Sequence, residues 1–290
     1  MKTTRGYITI AQNSADVNYL EQAYALALNL KLTQGAVSNL TVCVDAPTRK
    51  LINHNHRAVF DNIVDIPWQD HAEGETWKIH NKWKYLYMTP YDETVILDTD
   101  MLFPTDVSAW WDILVSRDVW ATTQVRTYRG ELVTSNYYRR YFEANNLPNV
   151  YTAFMYFKKS ELASELFAQT EIVMQHWQRF FYKYMPNGKP EYLSGDVAFA
   201  LAMQLLGIEN ECTRENVDQV PTFTHMKSHV QNINSASLSD DWSASLPTYY
   251  QSYRSFKVGN FQQQLPFHYV NKYWMTLDKI QQLEQDYGIR

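Results

Sequence analysis

The stretch ETVILDTDML, residues 93–102, places an apolar run directly before two aspartates that are separated by one residue. The run predicts a strand buried on both faces, because strands covered by helices on each side read as continuous apolar segments. Asp98 and Asp100 then follow the carboxyl end of that strand, and side chains two apart on an extended chain point to one side. The stretch therefore predicts two converging carboxylates at one edge of a sheet.

Two uncompensated carboxylates at close range repel each other and raise one another's pKa. A divalent cation removes this repulsion. Oxygen ligands of this kind suit Mg²⁺ or Mn²⁺, which keep bound waters and take substrate phosphates as further ligands. Aspartate pairs with this spacing are also common in solvated loops, so it is the position after a buried strand that favours a metal site.

Short β-branched runs alternate with helical patterns through the first half of the chain. Strands are predicted at GYITIA, LTVCVD, DNIVDIP and ETVILD, with helical patterns at YLEQAYALALNL, PTRKLINHNH and TWKIHNKWKYLYM between them. This alternation predicts an α/β fold with parallel strands and flanking helices. In such sheets ligands lie beyond the carboxyl ends of the strands, which is where the two aspartates fall.

The second half of the chain has a less regular pattern. Residues 128–149 are polar and aromatic without strand periodicity, and we interpret them as a lid-like insertion. A strand at VYTAFMYF, helices over 161–181 and 196–206, and a closing helix capped by Thr276 are predicted after it. No linker or repeat interrupts the pattern, so we expect a single domain over residues 1–290.

Composition limits the classes of partner. The net charge of −5 and the pI of about 5.9 exclude a general attraction to polyanions. Cys43 and Cys212 have neither metal-site spacing nor the density of a disulfide framework, so we expect buried free thiols in a reducing cytoplasm. The amino terminus lacks the apolar core of a signal peptide, and no run is long enough to span a bilayer. We therefore expect a cytoplasmic protein without a membrane partner.

Six segments resemble, in order, those of the glycogenin-like retaining nucleotide-sugar glycosyltransferases, which have the GT-A fold. They are YITIAQN, KWKYLYMTPYDETVILDTDML, VYTAFMYFKKS, SGDVAFAL, LPTYYQ and PFHYVNKYW. The resemblance covers nearly the whole chain and implies a GT-A-type, Rossmann-like mixed sheet. It also implies a nucleotide-binding half at 1–127 and an acceptor and sugar half at 128–290.

The resemblance implies a role for each charged residue of the site. Asp98 and Asp100 would hold Mn²⁺ or Mg²⁺ on the diphosphate of a nucleotide sugar, and His268 would complete the coordination. Lys272 would bind diphosphate oxygens, and Lys82 would approach the phosphate or the sugar of the donor.

The nucleoside is expected to meet the backbone of Ala11 and the side chain of Asn13. Tyr19 would stack on the base, or else belong to the core of the first helix. Thr99 and Thr152 are expected as further donor contacts.

Asp196 and Lys82 are the expected catalytic residues. The resemblance places the Asp196 carboxylate nearest the transferred sugar. The same carboxylate also suits the N-cap of the following helix. A retaining transfer does not demand an activated base, since the leaving diphosphate can take the proton of the acceptor. Catalysis would then consist mainly of positioning and electrostatic stabilisation.

The chain departs from the family pattern on the sugar side. Residues 151–153, YTA, stand where the family has Asn-Ser-Gly, and Val197 replaces a glutamine. These changes leave the identity of the donor sugar open. His225 competes with His268 as metal ligand, but it precedes the Leu-Pro signature at Leu246, whereas the histidine of the family follows that signature.

The expected activity is metal-dependent transfer of a hexose or pentose, from a UDP-sugar by preference, to a hydroxyl group with retention. The acceptor is a glycan, a lipid-linked glycan, a protein or a hydroxymethylated base of phage DNA. Only a few basic residues hint at DNA, namely Arg139, Arg140, Lys227 and Arg254. The alternatives are a noncatalytic nucleotide-sugar-binding or interaction module, and a metal-dependent nuclease or phosphatase, which needs more carboxylates.

Overall fold

The computed structural model describes residues 4–134, 139–213, 221–228 and 238–289. Within these ranges the strands are, in chain order, β1 (Arg5–Ile10), β2 (Leu40–Val44), β3 (Asn62–Asp65), β4 (Glu93–Leu97), β5 (Met101–Leu102), β6 (Val119–Thr122), β7 (Tyr151–Lys158), β8 (Thr224–His225), β9 (Thr248–Ser252), β10 (Ser255–Val258), β11 (Phe261–Gln262) and β12 (Phe267–His268). The α-helices are α1 (Tyr19–Thr33), α2 (Ala46–Arg49), α3 (His54–Val59), α4 (Tyr85–Met88), α5 (Trp110–Leu114), α6 (Arg140–Ala144), α7 (Glu161–Gln175), α8 (Trp177–Tyr184), α9 (Gly195–Leu206), α10 (Glu209–Thr213) and α11 (Leu277–Tyr287).

Six of these strands form the central sheet, in the spatial order β3-β2-β1-β4-β7-β6. The first four strands along the chain pair in parallel, as the alternation of strands and helices predicts. β7 runs antiparallel to both β4 and β6, because the chain between β6 and β7 returns to the sheet edge that it left. The predicted α/β class, with a mixed sheet and flanking helices, is confirmed.

Helices cover both faces of the sheet, so alternate residues of one strand enter different cores. In β4, Val95 and Leu97 pack into a cluster with α1 and α11, whereas Ile96 packs into a second cluster with α7 and α9. All three side chains are buried, and the burial of each contributes roughly 1.5–3 kcal/mol. This double coverage explains why the strand reads as an uninterrupted apolar run.

Two helical patterns of the first half form shorter helices than predicted. The pattern predicted at 47–56 divides into α2 and α3, because Asp45 and Asn53 each accept a backbone N–H group and so begin separate helices. The pattern at 76–88 is α-helical only in α4, which follows a 3₁₀ turn at Lys82–Lys84.

The second half shows one further break. The helix predicted over 161–181 is interrupted at His176, which separates α7 from α8. The helix predicted over 196–206 is α9, and the closing helix α11 begins after Thr276, as predicted.

The insertion predicted at 128–149 contains α6 and a tight turn at Gly130, next to a bridge between Arg126 and Leu132. Residues 135–138 of the insertion lie outside the described ranges. Its role as a lid, and the division of the chain into two halves at residue 128, stay predictions.

Cys43 and Cys212 are both buried and free, as predicted. Among the described residues, the structure contains no helix with the length and apolar character needed to cross a membrane.

A second, three-stranded sheet brings the C-terminal part of the chain to the end of β4. Its order is β5-β12-β8, and residues 98–100 connect β4 to β5. β12 pairs antiparallel with β5, so that His268 lies opposite Met101. Strand pairing therefore places a histidine from the end of the chain beside the turn that carries the two aspartates.

Candidate active site

The turn between β4 and β5 carries Asp98 and Asp100. The strand ends at Leu97, so the two aspartates lie in a turn instead of on the strand itself. Their side chains nevertheless converge, and one oxygen of each lies with a ring nitrogen of His268 in a group whose atoms are all within 4.8 Å of one another. Thr99 points away from this group, because its hydroxyl donates to the buried side chain of Gln22 at 3.1 Å.

His268 is held beside the aspartates by the backbone. The N–H group of Tyr269 donates to the carbonyl of Asp100 at 3.1 Å. The His268 Nε2 atom lies 3.2 Å from Asp100 Oδ2 and 4.0 Å from Asp98 Oδ2. Its Nδ1 atom is buried and has no hydrogen-bond partner among the described residues.

Each aspartate also has a lysine as its counter-ion. Lys82, from the 3₁₀ turn before α4, donates from Nζ to Asp98 Oδ1 at 2.7 Å. Lys272, from the loop after β12, donates to Asp100 Oδ2 at 2.7 Å. The lysines bind Asp98 Oδ1 and Asp100 Oδ2, so Asp98 Oδ2 still faces His268. The two carboxylates are therefore neutralised while one oxygen has no lysine partner.

The charges of this group stabilise one another. Burial alone would raise the pKa of Asp100, but Lys272 and His268 lower it well below its usual range. Burial likewise favours the neutral form of Lys272 and Lys82, yet the neighbouring aspartates raise the pKa of both lysines overall. Asp100 and both lysines are therefore charged at neutral pH.

The donor atoms fit a divalent cation. Two carboxylates and one imidazole provide oxygen and nitrogen ligands from one side, and Mn²⁺ and Mg²⁺ commonly complete such a set with water and phosphate. Nε2 of His268 is the ring nitrogen that faces both carboxylates, so it is the atom that would coordinate. A lysine ends a flexible four-carbon stem, so Lys82 and Lys272 can leave their carboxylates without any change in the backbone.

A cleft of about 100 Å³ opens beside the carboxylates. Its walls combine both lysines, the aspartate turn and aromatic and apolar residues; they are Ile10, Tyr19, Trp77, Lys78, Ile79, Lys82, Tyr85, Asp98, Thr99, Asp100 and Lys272. The Nζ atom of Lys272 lies 5.4 Å from the ring centre of Tyr19. Small-molecule sites usually measure about 300–1,000 Å³, so a nucleotide sugar requires this cleft to widen.

The sequence matches no protein-family profile and no curated protein. Among solved structures, the chain is similar to the galactosyltransferase LgtC in complex with donor and acceptor sugar analogues, with 15% identity, 72% of each chain covered and a TM-score of 0.46. It is also similar to mouse xyloside xylosyltransferase 1, with 12% identity over 72% of this chain and 84% of that chain and a TM-score of 0.44. The glycosyltransferase GlyE of Streptococcus pneumoniae TIGR4 shares 11% identity over 74% of this chain and 46% of its own, with a TM-score of 0.42. Similarity at this level does not assign an activity, so the residues of the cleft carry the functional argument.

Asp196 lies in the first turn of α9, and the structure corrects its predicted place as the N-cap. Ser194 is the N-cap, because its hydroxyl accepts the N–H group of Val197. The Asp196 carboxylate is thereby free for other donors. Its Oδ1 atom accepts the backbone N–H of Thr152 at 2.9 Å and the Thr152 hydroxyl at 2.6 Å. Its Oδ2 atom lies 3.2 Å from Nη1 of Arg139.

The pKa of Asp196 is lowered by these neighbours. Burial would raise it, but the charges of Arg139 and Lys82 and the hydrogen bonds from Thr152 lower it overall. Lys82 connects this carboxylate to the aspartate turn, since its Nζ atom also lies 3.5 Å from the Thr152 hydroxyl oxygen. The structure thus brings Asp196, Lys82 and Thr152 together at one side of the aspartate turn.

Ala11 and Asn13 are not among the residues that line the cleft. Ala11 is buried, and its N–H group donates to the carbonyl of Cys43 at 2.8 Å. The Asn13 side chain accepts the N–H of Leu20 and donates to Asn18, so it holds the start of α1. Their nucleoside-binding roles stay predictions.

His225 lies directly behind His268. The two residues are paired across β8 and β12, and their ring centres are 5.0 Å apart. The Nδ1 atom of His225 is 3.1 Å from the hydroxyl of Ser228, and burial lowers its pKa well below the usual value. Within the described part of the chain, the group of three possible ligands contains His268 and not His225.

Two residues that organise the site were not assigned these places from the sequence. The side-chain amide of Gln22 accepts from Thr99 and donates to the carbonyl of Lys272 at 2.9 Å, which ties the aspartate turn to the lysine loop. A buried glutamine inside the apolar pattern of α1 was the available signal. Arg139, which pairs with Asp196, was considered only as a contact for DNA, because nothing in its neighbourhood in the sequence indicates a carboxylate partner.

Proposed function

We propose that the chain is a metal-dependent glycosyltransferase of the GT-A type, which moves a sugar from a nucleotide diphosphate sugar to a hydroxyl group. One observation carries the proposal: Asp98, Asp100 and His268 meet at the end of the central strand, with Lys82 and Lys272 in the same cleft. Three ligands for a divalent cation beside two ammonium groups form a set of donors that suits a metal-bound diphosphate.

Asp98, Asp100 and His268 would hold Mn²⁺ or Mg²⁺, which when bound neutralises the charge that develops on the departing diphosphate. Lys272 and Lys82 would turn from their carboxylates to the diphosphate oxygens. A divalent cation adds two positive charges and the diphosphate of a nucleotide sugar adds two negative ones, so the site keeps its charge balance. The lysines act as counter-ions before the donor binds and as phosphate ligands afterwards.

The base and nucleoside are assigned to the β1 side of the cleft. Tyr19 supports this assignment, since it lines the cleft beside Lys272. Ala11 and Asn13 precede it at the end of β1, and UDP is the nucleotide favoured by the sequence resemblance. Residues 77–79 also line the cleft, and we assign to them the movement that admits the donor.

The transfer itself needs few groups from the protein. The bond between the anomeric carbon and the phosphate oxygen breaks, a bond to the acceptor oxygen forms on the same face, and the acceptor proton passes to the departing phosphate oxygen. Asp196 remains ionised and fixed beside the sugar, where it stabilises positive charge at the anomeric centre. Lys82, which lies between Asp98 and Asp196, orients the donor between the two carboxylates.

The acceptor is a hydroxyl group, and we favour one on a glycan or a protein. Two of the four basic residues that pointed to DNA are paired with acidic side chains: Arg139 is buried against Asp196, and Lys227 pairs with Asp240. An arginine or lysine that is already paired with a carboxylate attracts a DNA phosphate less strongly. Phage-type modified DNA remains one arm of the acceptor test.

A noncatalytic nucleotide-sugar-binding module is the second candidate. The observation in its favour is that both aspartates are already neutralised by lysines, so the fold does not need a metal to tolerate them.

The test is incubation of the protein with UDP-, GDP- and TDP-sugars and Mn²⁺, followed by mass spectrometry of the nucleotides. We expect slow release of the nucleoside diphosphate from at least one donor, its loss on addition of EDTA, and faster turnover when the correct acceptor is added. Panels of glycans, proteins and hydroxymethylated DNA then identify that acceptor. Donor binding without turnover would support the noncatalytic module, and absence of donor binding would overturn both candidates.

A further inference from the structure

The guanidinium group of Arg139 is enclosed between two aromatic rings. Its central carbon lies 3.8 Å from the ring centre of Tyr151 and 4.2 Å from that of Phe142. The side chain is 3% exposed. Its Nη2 atom donates to the carbonyl of Val150. A cation that lies close to two aromatic ring centres and donates to a backbone carbonyl has little freedom to move.

This immobilised cation contacts Asp196, and both oxygens of that carboxylate have partners among the described residues. Arg139 approaches Oδ2 at 3.2 Å, while the backbone N–H and the hydroxyl of Thr152 hold Oδ1 at 2.9 and 2.6 Å. Both oxygens are engaged, yet the side chain of Asp196 is still 31% exposed. The carboxylate is therefore fixed in direction while part of it stays open.

Asp196 does not itself line the cleft, but polar contacts connect it to Lys82 and Asp98, which do. The Thr152 hydroxyl that holds Asp196 also lies 3.5 Å from Nζ of Lys82, which in turn donates to Asp98 at 2.7 Å. A continuous series of polar contacts thus connects Arg139, through Asp196, Thr152 and Lys82, to a carboxylate of the metal group. The sequence places Tyr151 and Thr152 where the departures from the family pattern occur.

We propose that Arg139 is a positioning residue for the sugar side of this site: it fixes Asp196 as an ionised acceptor aimed at the donor sugar. This inference rests on the proposed function. Arg139 itself does not touch the sugar, since it is buried behind the carboxylate. Lysine cannot replace it, because an ammonium group has neither a flat face for the rings of Tyr151 and Phe142 nor a second nitrogen that could hold the Val150 carbonyl while the first contacts Asp196.

The first test compares Arg139→Ala and Arg139→Lys with the matched control Arg179→Ala, which removes an exposed arginine of α8. We expect kcat for metal-dependent donor turnover to fall about 10- to 100-fold in both Arg139 variants, as for other groups that orient a reacting residue. The KM for the nucleotide sugar should change by less than about threefold, because the nucleotide contacts lie elsewhere. Unchanged kcat in a folded Arg139→Ala protein would overturn the proposal.

Chemical rescue separates positioning from general structural support. Arg139→Ala leaves a flat slot between two rings, so guanidinium at concentrations well below those that unfold proteins should restore part of kcat. Ammonium at equal ionic strength should not. The acid limb of the pH profile of kcat should also move to higher pH in Arg139→Ala, since Asp196 loses the cation that keeps it ionised. Rescue by ammonium and guanidinium alike, or an unmoved acid limb, would contradict the proposal.

The double variant Arg139→Ala/Asp196→Asn decides whether Arg139 acts through Asp196. If it does, adding Arg139→Ala to Asp196→Asn lowers kcat no further, whereas a separate structural role makes the two losses multiply. Should Arg139→Ala fail to fold, Arg139→Lys carries the same comparison. Absence of turnover in the unaltered protein refutes the proposed function, whereas turnover that is indifferent to Arg139 refutes this inference alone.

Discussion

The site contains two acidic centres that are neutralised in different ways. In the aspartate turn, Asp98 and Asp100 are paired with Lys82 and Lys272 beside a cleft. At the start of α9, Asp196 is paired with an arginine that lies over two aromatic rings and is 3% exposed. The lysines end flexible stems, whereas the arginine is immobile.

The counter-charge of a buried carboxylate can thus be exchangeable, as in the lysine pairs, or permanent, as in the arginine pair. A lysine that leaves its aspartate frees an oxygen for a metal and gains a phosphate as its new partner. An arginine that is stacked and bonded at its edge keeps its carboxylate ionised in every state of the site. The first arrangement suits a centre that binds and releases a donor, and the second suits a centre whose charge must not change.

The largest effect should follow removal of charge from the exchangeable centre. We expect Asp100→Asn to lower Mn²⁺-dependent donor turnover by about 10³-fold or more, because it removes a metal ligand and leaves Lys272 without its partner. The measurement is nucleoside diphosphate release, with Asp112→Asn as the control, since the Asp112 side chain is 85% exposed. Turnover within tenfold of the unaltered protein would break the assignment of this turn as the metal centre.

Lys272→Met should make folding stability depend on the metal. Removing one partner of a buried ion pair costs about 3–5 kcal/mol, so the metal-free variant should unfold at a lower temperature. Bound Mn²⁺ supplies a new counter-charge for Asp100, and so it should raise the unfolding temperature of the variant more than that of the unaltered protein. Arg139→Met should show the contrast, with equal increments from Mn²⁺ in variant and parent. Equal increments in Lys272→Met as well would show that the two centres do not differ.

Acid should destabilise both centres. The pKa values of Asp100 and Asp196 are lowered in the folded protein, so the unfolded chain binds more protons as the pH falls. The stabilisation is present above the unfolded pKa of about 4 and is lost below it, which reduces the free energy of unfolding. Urea unfolding at pH 6 and pH 3.5 measures this loss. Asp196→Asn should lose about 1 kcal/mol less than its parent, because its side chain no longer titrates.

The smallest effect on stability and turnover should come from adding a methyl group at Gly195, next to the Lys82 side chain. A Cβ atom on Gly195 would lie 3.3 Å from Cδ of Lys82, which a flexible stem accommodates by a small shift. Gly195→Ala should therefore cost about 1 kcal/mol or less in stability and raise the KM for the donor only slightly. A collapse of kcat in this variant would show that Lys82 is as immobile as Arg139, and the distinction between the centres would not hold.

Much of the fold follows from local sequence patterns. The uninterrupted apolar run of β4 predicts a strand covered on both faces, and the alternation of strands with helices predicts the parallel part of the sheet. Those signals depend on near neighbours in the chain. The antiparallel course of β7 and the break at His176 have no comparable local signal. A mixed sheet was expected only from the family resemblance, and the break at His176 was not predicted.

The residues of the site also differ in whether a local sequence pattern could predict their positions. The convergence of Asp98 and Asp100 was predicted from extended-strand spacing, although a turn produces it. The place of His268 depends on the pairing of β12 with β5, which periodicity does not specify. His268, Lys272 and Lys82 were reached through the order of motifs in a resembling family. The contacts of Gln22 and Arg139 depend on side chains that meet only after the sheets have formed, and no pattern in one sequence encodes them.

The lysine pairs have a thermodynamic consequence for the order in which ligands bind. Mn²⁺ arriving alone must displace ammonium groups that then have no anion, so its intrinsic affinity should be weak. A nucleotide arriving alone meets lysines that are already occupied. Each ligand prepares the site for the other, and the linkage is reciprocal: the factor by which the metal tightens nucleotide binding equals the factor by which the nucleotide tightens metal binding.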